Sequence, residues 1–405
     1  MVEVAVVPTA PRPSIVGRVA TRGIALVALA LDALVLLLIA GSLPAIAHAF
    51  HVPLDAAGLI FTANGTGFTV AVPLSGALAD RFGKRAIAAG NALAFGTGLL
   101  FLAASRDLAA ALAAATLAGA GGGSIESSVT ALLPEMYPGR EGFANNFAQA
   151  FFGLGATLGP LLLLAPTLGW RMRLALCGAA LLAVAAGFWR ERAQDERPQH
   201  AAAPSPWSPG LRMLRNPGIG ASVAAMILYT GVEVAVWGWL FTVVTRPGGA
   251  GPVWAVAELS GFWCAMGAGR LLAGMLAERV DLTLLIAVET LAGVPALLLT
   301  LLAHSRAGAL AAVILCGLAF SGIWPSIVGH AQKHHGESAL LASVLVAAGG
   351  AGALAVPAAF GFAIARLGLR AAAVGLAFLL APVAFLPFLA SARGRRPGRT
   401  LPAAR

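Results

Sequence analysis

Apolar runs recur along the whole chain and are broken only by short polar punctuation. They fall at about 24–47, 56–78, 86–104, 109–132, 143–165, 170–189, 218–242, 253–276, 282–303, 308–330, 339–364 and 370–391. At 1.5 Å per residue each is long enough to cross a hydrocarbon layer ~30 Å thick. The pattern therefore predicts twelve transmembrane helices and an all-α membrane protein. Most connections are short. The exception, about 190–216, is charged and rich in proline and serine, and it reads as a cytoplasmic linker. It divides the chain into an N-terminal six-helix bundle, 1–189 with a short tail to about 22, and a C-terminal bundle, 217–405 with a basic tail from about 392. The first run follows Arg12, Arg18 and Arg22 in the manner of a signal peptide, but Asp32 interrupts its core and many spans follow. An uncleaved first helix is the better reading.

Composition agrees with this pattern. Hydrophobic residues make up 59% of the chain and charged residues 11%, against roughly a quarter charged in a soluble domain. Soluble enzymes, disordered tails and secreted disulfide scaffolds are excluded by that balance. The net charge of +10 usually points to nucleic acid, but here the basic residues are spread through short inter-helix segments. Of 27 Lys and Arg, nineteen fall in segments on the side of the termini, seven on the other, and Arg270 lies within a helix. The excess puts both termini in the cytoplasm and leaves no call for a nucleic-acid partner. Cys177, Cys264 and Cys316 all lie in apolar runs without metal or disulfide spacing, and read as buried packing residues.

The halves repeat. Gly76-Ala-Leu-Ala-Asp80-Arg81 returns as Gly274-Met-Leu-Ala-Glu278-Arg279, 198 residues on. Pro160 returns as Pro357, an offset of 197, and Leu168-Gly-Trp-Arg171 as Leu367-Gly-Leu-Arg370, an offset of 199. An internal duplication of six helices is the pattern of a transporter whose pathway runs between its halves.

With Gly83, Lys84 and Arg85 added, the segment Gly76-Ala-Leu-Ala-Asp80-Arg81-Phe-Gly83-Lys84-Arg85 resembles the loop motif of the major facilitator superfamily. Its physics is readable directly. Gly83 permits a tight turn, Asp80 suits a nearby helix N-terminus, and the cations hold the loop on the cytoplasmic side. Within that superfamily the chain is most similar to the fucose–galactose–glucose:proton symporters. The likeness rests on Gly123-Ser-Ile-Glu126, on Asn146-Phe-Ala-Gln149, on Tyr229-Thr-Gly231-Val-Glu233 with Trp237 and Trp239, and on Ile323-Trp324-Pro325-Ser326. The resemblance implies two pseudo-symmetric bundles in the bacterial inner membrane, working as a monomer by alternating access. It further implies a small-molecule substrate, the proton as coupling ion, and no cofactor or metal. One departure stands out. Fucose carriers of that family keep a first-helix carboxylate about one turn before the outer proline, whereas Asp32 lies twelve residues before Pro44, roughly 18 Å lower. Fucose itself is thereby disfavoured.

A charge inside a membrane needs a reason, since it costs several kcal/mol unless paired or wet. Glu126 shares a helix face with Gly119, Gly122 and Thr130, which leaves a groove beside a carboxyl suited to carrying a proton. Asp32 is the second candidate for proton coupling, or else an N-half hydrogen-bond anchor. The position equivalent to Glu126 in the second half is Trp324, which confines the proton machinery to the first half. Asn146 and Gln149 lie on one face, and their amides match the dual donor–acceptor character of sugar hydroxyls, or serve as inter-helix glue. Tyr229, Glu233 and Trp237 form one stripe, where aromatic planes cover a sugar face and the carboxylate accepts its hydroxyl protons. With Trp324 these make the predicted substrate site. Arg270, with Glu278 and Arg279, reads as the second-half copy of the gating-loop device built on Gly76, Asp80, Arg81, Gly83 and Arg85. Glu289 reads as structural or lipid-interfacial, Glu258 as an aqueous-rim residue, and His330, His334 and His335 as a solvated loop.

The function that follows is secondary transport of a small polar solute, a sugar first, with protons. The alternative on the same fold is a proton-coupled exporter of drugs or amphipathic metabolites. A membrane-embedded enzyme would need a nucleophile–base or metal constellation, and none is found.

Overall fold

The computed structural model describes residues 15–164, 168–192, 213–244, 252–303, 305–336 and 338–389. Most of the predicted linker, the outer part of the predicted N-terminal tail and the whole of the predicted C-terminal tail lie outside these residues. Twelve membrane-length helices are present among the described residues. They are α1 (Ile15–Phe50), α2 (Leu54–Phe82), α3 (Lys84–Ala104), α4 (Leu108–Leu132), α5 (Glu141–Leu163) and α6 (Trp170–Glu191), then α7 (Pro217–Val244), α8 (Pro252–Leu276), α9 (Leu282–Leu299), α10 (Arg306–His335), α11 (Ala339–Leu367) and α12 (Leu369–Leu389). α10 breaks at Ser321 and Gly322 into the segments Arg306–Phe320 and Ile323–His335. α1 starts and ends beyond its predicted limits, and α9 stops at Leu299, four residues short of the predicted 303.

Lipid tails are as apolar as leucine, so burial alone does not draw these helices together; close packing does. Glycine provides it. A side chain at Gly119 would strike the Asn64 carbonyl, one at Gly67 the Thr116 carbonyl, and these two positions bind α2 to α4. Gly155 sits against the backbone of Ala30 and joins α5 to α1, while Gly352 sits against Ile227 and joins α11 to α7. The halves meet along two seams, α2 with α11 and α5 with α8. Outward faces carry Phe101, Leu302, Phe362 and Phe378, all more than half exposed, an apolar mantle that only lipid can cover. The protein is an integral membrane protein of two pseudo-symmetric six-helix bundles.

Three packing expectations need correction. Cys177 and Cys316 are buried, but Cys264 is exposed on the mantle, because its face of α8 turns from the core. His330 is buried at 1% exposure with its ring centroid 4.5 Å from that of His334, tilted by 48°, since α10 stays helical to His335 instead of ending in a solvated loop. Glu258 is also buried, at 3%.

Several helix starts carry side-chain caps. Asp107, Ser305 and Ser338 accept from the backbone N–H groups of Ala110, Gly308 and Leu341 at 2.8, 3.0 and 3.0 Å. Asp281, at the start of α9, bonds Thr283, and that holds its carboxyl below the usual carboxylate range. This contribution is present at neutral pH and is lost as pH falls through the depressed value.

Backbone proximity at α1 and α5 gives a direct test. Gly155→Val should destabilise the protein by roughly 1–3 kcal/mol, the scale of overpacking, whereas Gly90→Ala, with open space around it, should not. Thermal unfolding in detergent reads both. An unchanged midpoint for Gly155→Val would show that this contact does not hold the bundle.

Candidate functional site: a cavity between the halves

A cavity of about 150 Å³ lies between the bundles. Its wall is mostly aromatic and aliphatic, with Phe61, Phe68, Phe152, Trp237, Trp263 and Trp324 as the large planes. Trp263 is the hub of this wall: its ring centroid lies 5.6 Å from Phe152 and 5.9 Å from Trp237. Against this surface stand a few polar groups, Glu126 and Gln149 from the first half, Thr230, Glu233 and Arg270 from the second, and Asn64 on α2.

The polar groups are positioned by identifiable backbone causes. Pro325 has no N–H for the carbonyl one helical turn back, that of Ser321, and α10 breaks there. The freed Ser321 carbonyl accepts from Arg270 Nε at 3.2 Å. Phe320, beside the break, accepts from the Tyr229 hydroxyl at 2.7 Å. Gly322 packs directly on the Glu289 carboxyl, where any larger residue would collide. Glu289 thus supports the break in α10, and the lipid-interface option for it is corrected.

Arg270 also crosses between the halves. Its Nη1 donates to the Gln149 carbonyl at 2.8 Å, and the Gln149 side chain donates to Glu126 Oε1 at 3.2 Å. No carboxylate among the described residues forms a salt bridge with Arg270, although Glu233, Glu126 and Glu289 all act on it electrostatically. Predicted as part of the gating loop, Arg270 stands instead in the cavity wall, because it lies two helical turns before Glu278 and faces inward at 2% exposure.

Of the predicted substrate residues, Gln149, Glu233, Trp237 and Trp324 line the cavity with Glu126, and two do not. Tyr229 is wholly buried behind the wall, its hydroxyl committed to α10. Asn146 lies below the floor, donating to the Gly142 carbonyl at 2.9 Å and to Ser326 Oγ at 3.4 Å. Asp32 also stands outside the wall, packed on Gly122 one turn from Glu126 and near enough to act on its charge. The side chain of Trp239 lies outside the described residues. Sequence reasoning missed Asn64, Phe68, Phe152 and Trp263. A signal existed for Trp263 alone, which precedes Arg270 by seven residues on one helix face.

Beneath the cavity, at the end where α1 begins, the halves are tied together. The Asp80 carboxylate accepts from the backbone N–H groups of Ala339 and Leu340 at 2.9 and 3.0 Å, so the helix N-terminus it serves is that of α11, in the other half. Gly76 lets α2 approach Ser343 on the same helix. Gly83 turns the loop at φ +101°, Arg81 lies over the Phe82 ring, and Arg85 is buried, with Nε 3.4 Å from Thr21 Oγ1. Glu278 pairs with Arg140, the residue that opens α5. Deeper, Asn145 donates to Gln332 at 2.7 Å, and Gln332 donates to the Thr130 carbonyl at 3.1 Å.

Among solved structures, the chain is similar to the E. coli fucose:proton symporter FucP, at 20% identity and TM-score 0.74 over 94% of this chain and 98% of that one. FucP in the outward conformation gives 22% identity and TM-score 0.71 over 90% and 98%. The human organic anion transporter MFSD10 (TETRAN) gives 18% and 0.69 over 91% and 99%. At these identities the likeness is one of fold. A sequence relative, the chloramphenicol resistance protein of Streptomyces lividans, is 28% identical over 252 residues, which span 60% of this chain and 62% of that protein. The pattern of the Major Facilitator Superfamily matches residues 25–354. With that match over most of its length and that fold, the chain belongs to the Major Facilitator Superfamily, whose members are membrane transporters and not enzymes.

Proposed function

We propose that the protein is a proton-coupled secondary transporter that moves a small polar solute, a sugar being the first class, by alternating access. The observation that carries this reading is the Glu126–Gln149 pair, a carboxyl set in the cavity wall and hydrogen-bonded at 3.2 Å to a neutral amide on the neighbouring helix. Protonation of Glu126 would remove a charge from the cavity and change what Gln149 can offer a ligand. The proton is then the coupling ion and no cofactor is required. Rocking along the α2–α11 and α5–α8 seams would expose the cavity to each side in turn. With both termini in the cytoplasm of a bacterial inner membrane, the tied end would be the cytoplasmic one. The chain would work as a monomer, each half supplying half the site. A second reading, export of amphipathic compounds, is favoured by the aromatic wall and by the name of the Streptomyces relative.

Proteoliposomes with an imposed pH gradient test the coupling. Glu126→Gln imitates the protonated acid, so the variant should lose gradient-driven accumulation while keeping substrate exchange. Accumulation equal to the unmodified protein would move the role to Asp32. For the site, Gln149→Ala and Trp237→Ala should each weaken substrate binding by roughly 1–3 kcal/mol. Unchanged affinity in both would place the substrate elsewhere. At the tied end, Asp80→Asn should slow transport and leave equilibrium binding intact, because two backbone N–H groups lose their carboxylate. Loss of binding in a folded Asp80→Asn variant would reassign Asp80 to the substrate.

A further inference from the structure

Two features of the cavity are left unsatisfied by the protein. The indole Nε1 atoms of Trp237 and Trp263 are buried donors without a partner, in side chains only 6% and 1% exposed. Arg270 is a buried cation whose Nη2 bonds no described residue and whose other donors go to neutral carbonyls. All three residues line the one cavity. A buried donor left unpaired costs about 1–3 kcal/mol, and Arg270 has Glu126, Glu233 and Glu289 near it but, among the described residues, no carboxylate in contact. A ligand that brought two acceptor oxygens and one negative charge would satisfy all three at once. The rest of the wall, Phe61, Phe68, Phe152 and Leu354, asks for an apolar or ring-shaped body.

We infer that the transported solute is a small organic monoanion, its carboxylate received by Arg270 and the Trp237 and Trp263 N–H groups, and its body held against the aromatic wall. This inference rests on the transport reading above and names the substrate class for the same cavity.

The electrostatics of the cavity then set the coupling. The titratable groups that act on Arg270 are Glu126 of α4, Glu233 and Tyr229 of α7 and Glu289 of α9, with Asp32 of α1 behind Glu126. At this level α2, α5, α10 and α11 contribute none. An arriving carboxylate is repelled by Glu126 and Glu233 while they are ionised, and welcomed by Arg270 once they are neutral. Binding of the anion and binding of a proton therefore favour each other, and that reciprocity is what symport requires.

The test is thermal unfolding of the purified full chain in detergent with matched pairs, phenylacetate against phenylacetamide and galacturonate against galactose. Both acids stay ionised between about pH 6 and pH 8. At least one acid should raise the midpoint more than its neutral partner at the lower pH, and less at the higher. Trp263→Phe removes the donor and leaves a smaller aromatic ring, so it should weaken acid binding several-fold and binding of the neutral partner less. Arg270→Gln should weaken it by on the order of tenfold or more. Because Arg270 also ties the halves, its unliganded midpoint must be measured, and the Trp263→Phe result stands if that variant is unfolded. Glu126→Gln should carry acid binding to the higher pH. Neutral partners that bind as well as their acids would overturn the inference while leaving proton-coupled transport intact. Acid binding insensitive to pH, to Trp263→Phe and to Glu126→Gln would overturn it too. If acids bind as expected but Glu126→Gln still accumulates solute on a pH gradient, the coupling reading fails and the substrate class stands.

Discussion

A guanidinium held inside an apolar bundle must find polar company from the protein itself, and the centre of this molecule is arranged around that requirement. Arg270 finds it in two carbonyls on two helices. One is available because Pro325 removes the N–H that would have closed the helical turn at Ser321. The other belongs to Gln149, across the seam between the halves. The break in α10, the contact of α8 with α5 and the placement of charge in the cavity are thus one arrangement. Tyr229 and Glu289 complete it from α7 and α9, so three helices of the second half converge on the irregular turn of a fourth.

Through Gln149 the same arrangement reaches Glu126. The backbone of Gln149 answers to the second half and its side chain to the first. A motion that separates α5 from α8 would change the surroundings of both Arg270 and Glu126. On the proton-coupled reading, protonation at one and conformational change at the other would be connected through one residue, with no need for a longer chain of contacts.

Much of this fold was legible in the sequence, because hydrocarbon thickness imposes a segment length. The duplication was equally visible in Gly76 and Gly274 and in Pro160 and Pro357. The cavity was legible only in part. Glu126, Gln149, Glu233, Trp237 and Trp324 sit on stripes that helical periodicity can find, and they meet in one wall. Periodicity does not say how deep a stripe lies. Asn146 is one turn from Gln149 and falls below the floor; Tyr229 is one turn from Glu233 and falls behind the wall. Arg270 was misplaced for a related reason: proximity to Glu278 in the chain suggested the loop, while its distance along α8 put it two turns inside. Phe68, Phe152 and Asn64 carry no signal in an isolated sequence, since an aromatic or an amide on a glycine-rich helix looks the same whether it faces a neighbour or a ligand.

The ties at the base are a duplicated device whose copies have diverged. In each half an acid from the loop motif reaches the first turn of a helix in the other half, Asp80 at α11 and Glu278 at α5 through Arg140. The first copy uses two backbone N–H groups, held in place by the helix they begin. The second uses two side chains that are 50% and 35% exposed, a pair that salt screens over a Debye length of ~8 Å at physiological ionic strength. Ionic strength then bears on one tie more than on the other. As salt rises, the Arg140–Glu278 contact on the α5–α8 side of the base would weaken first, and that edge would be the first to loosen.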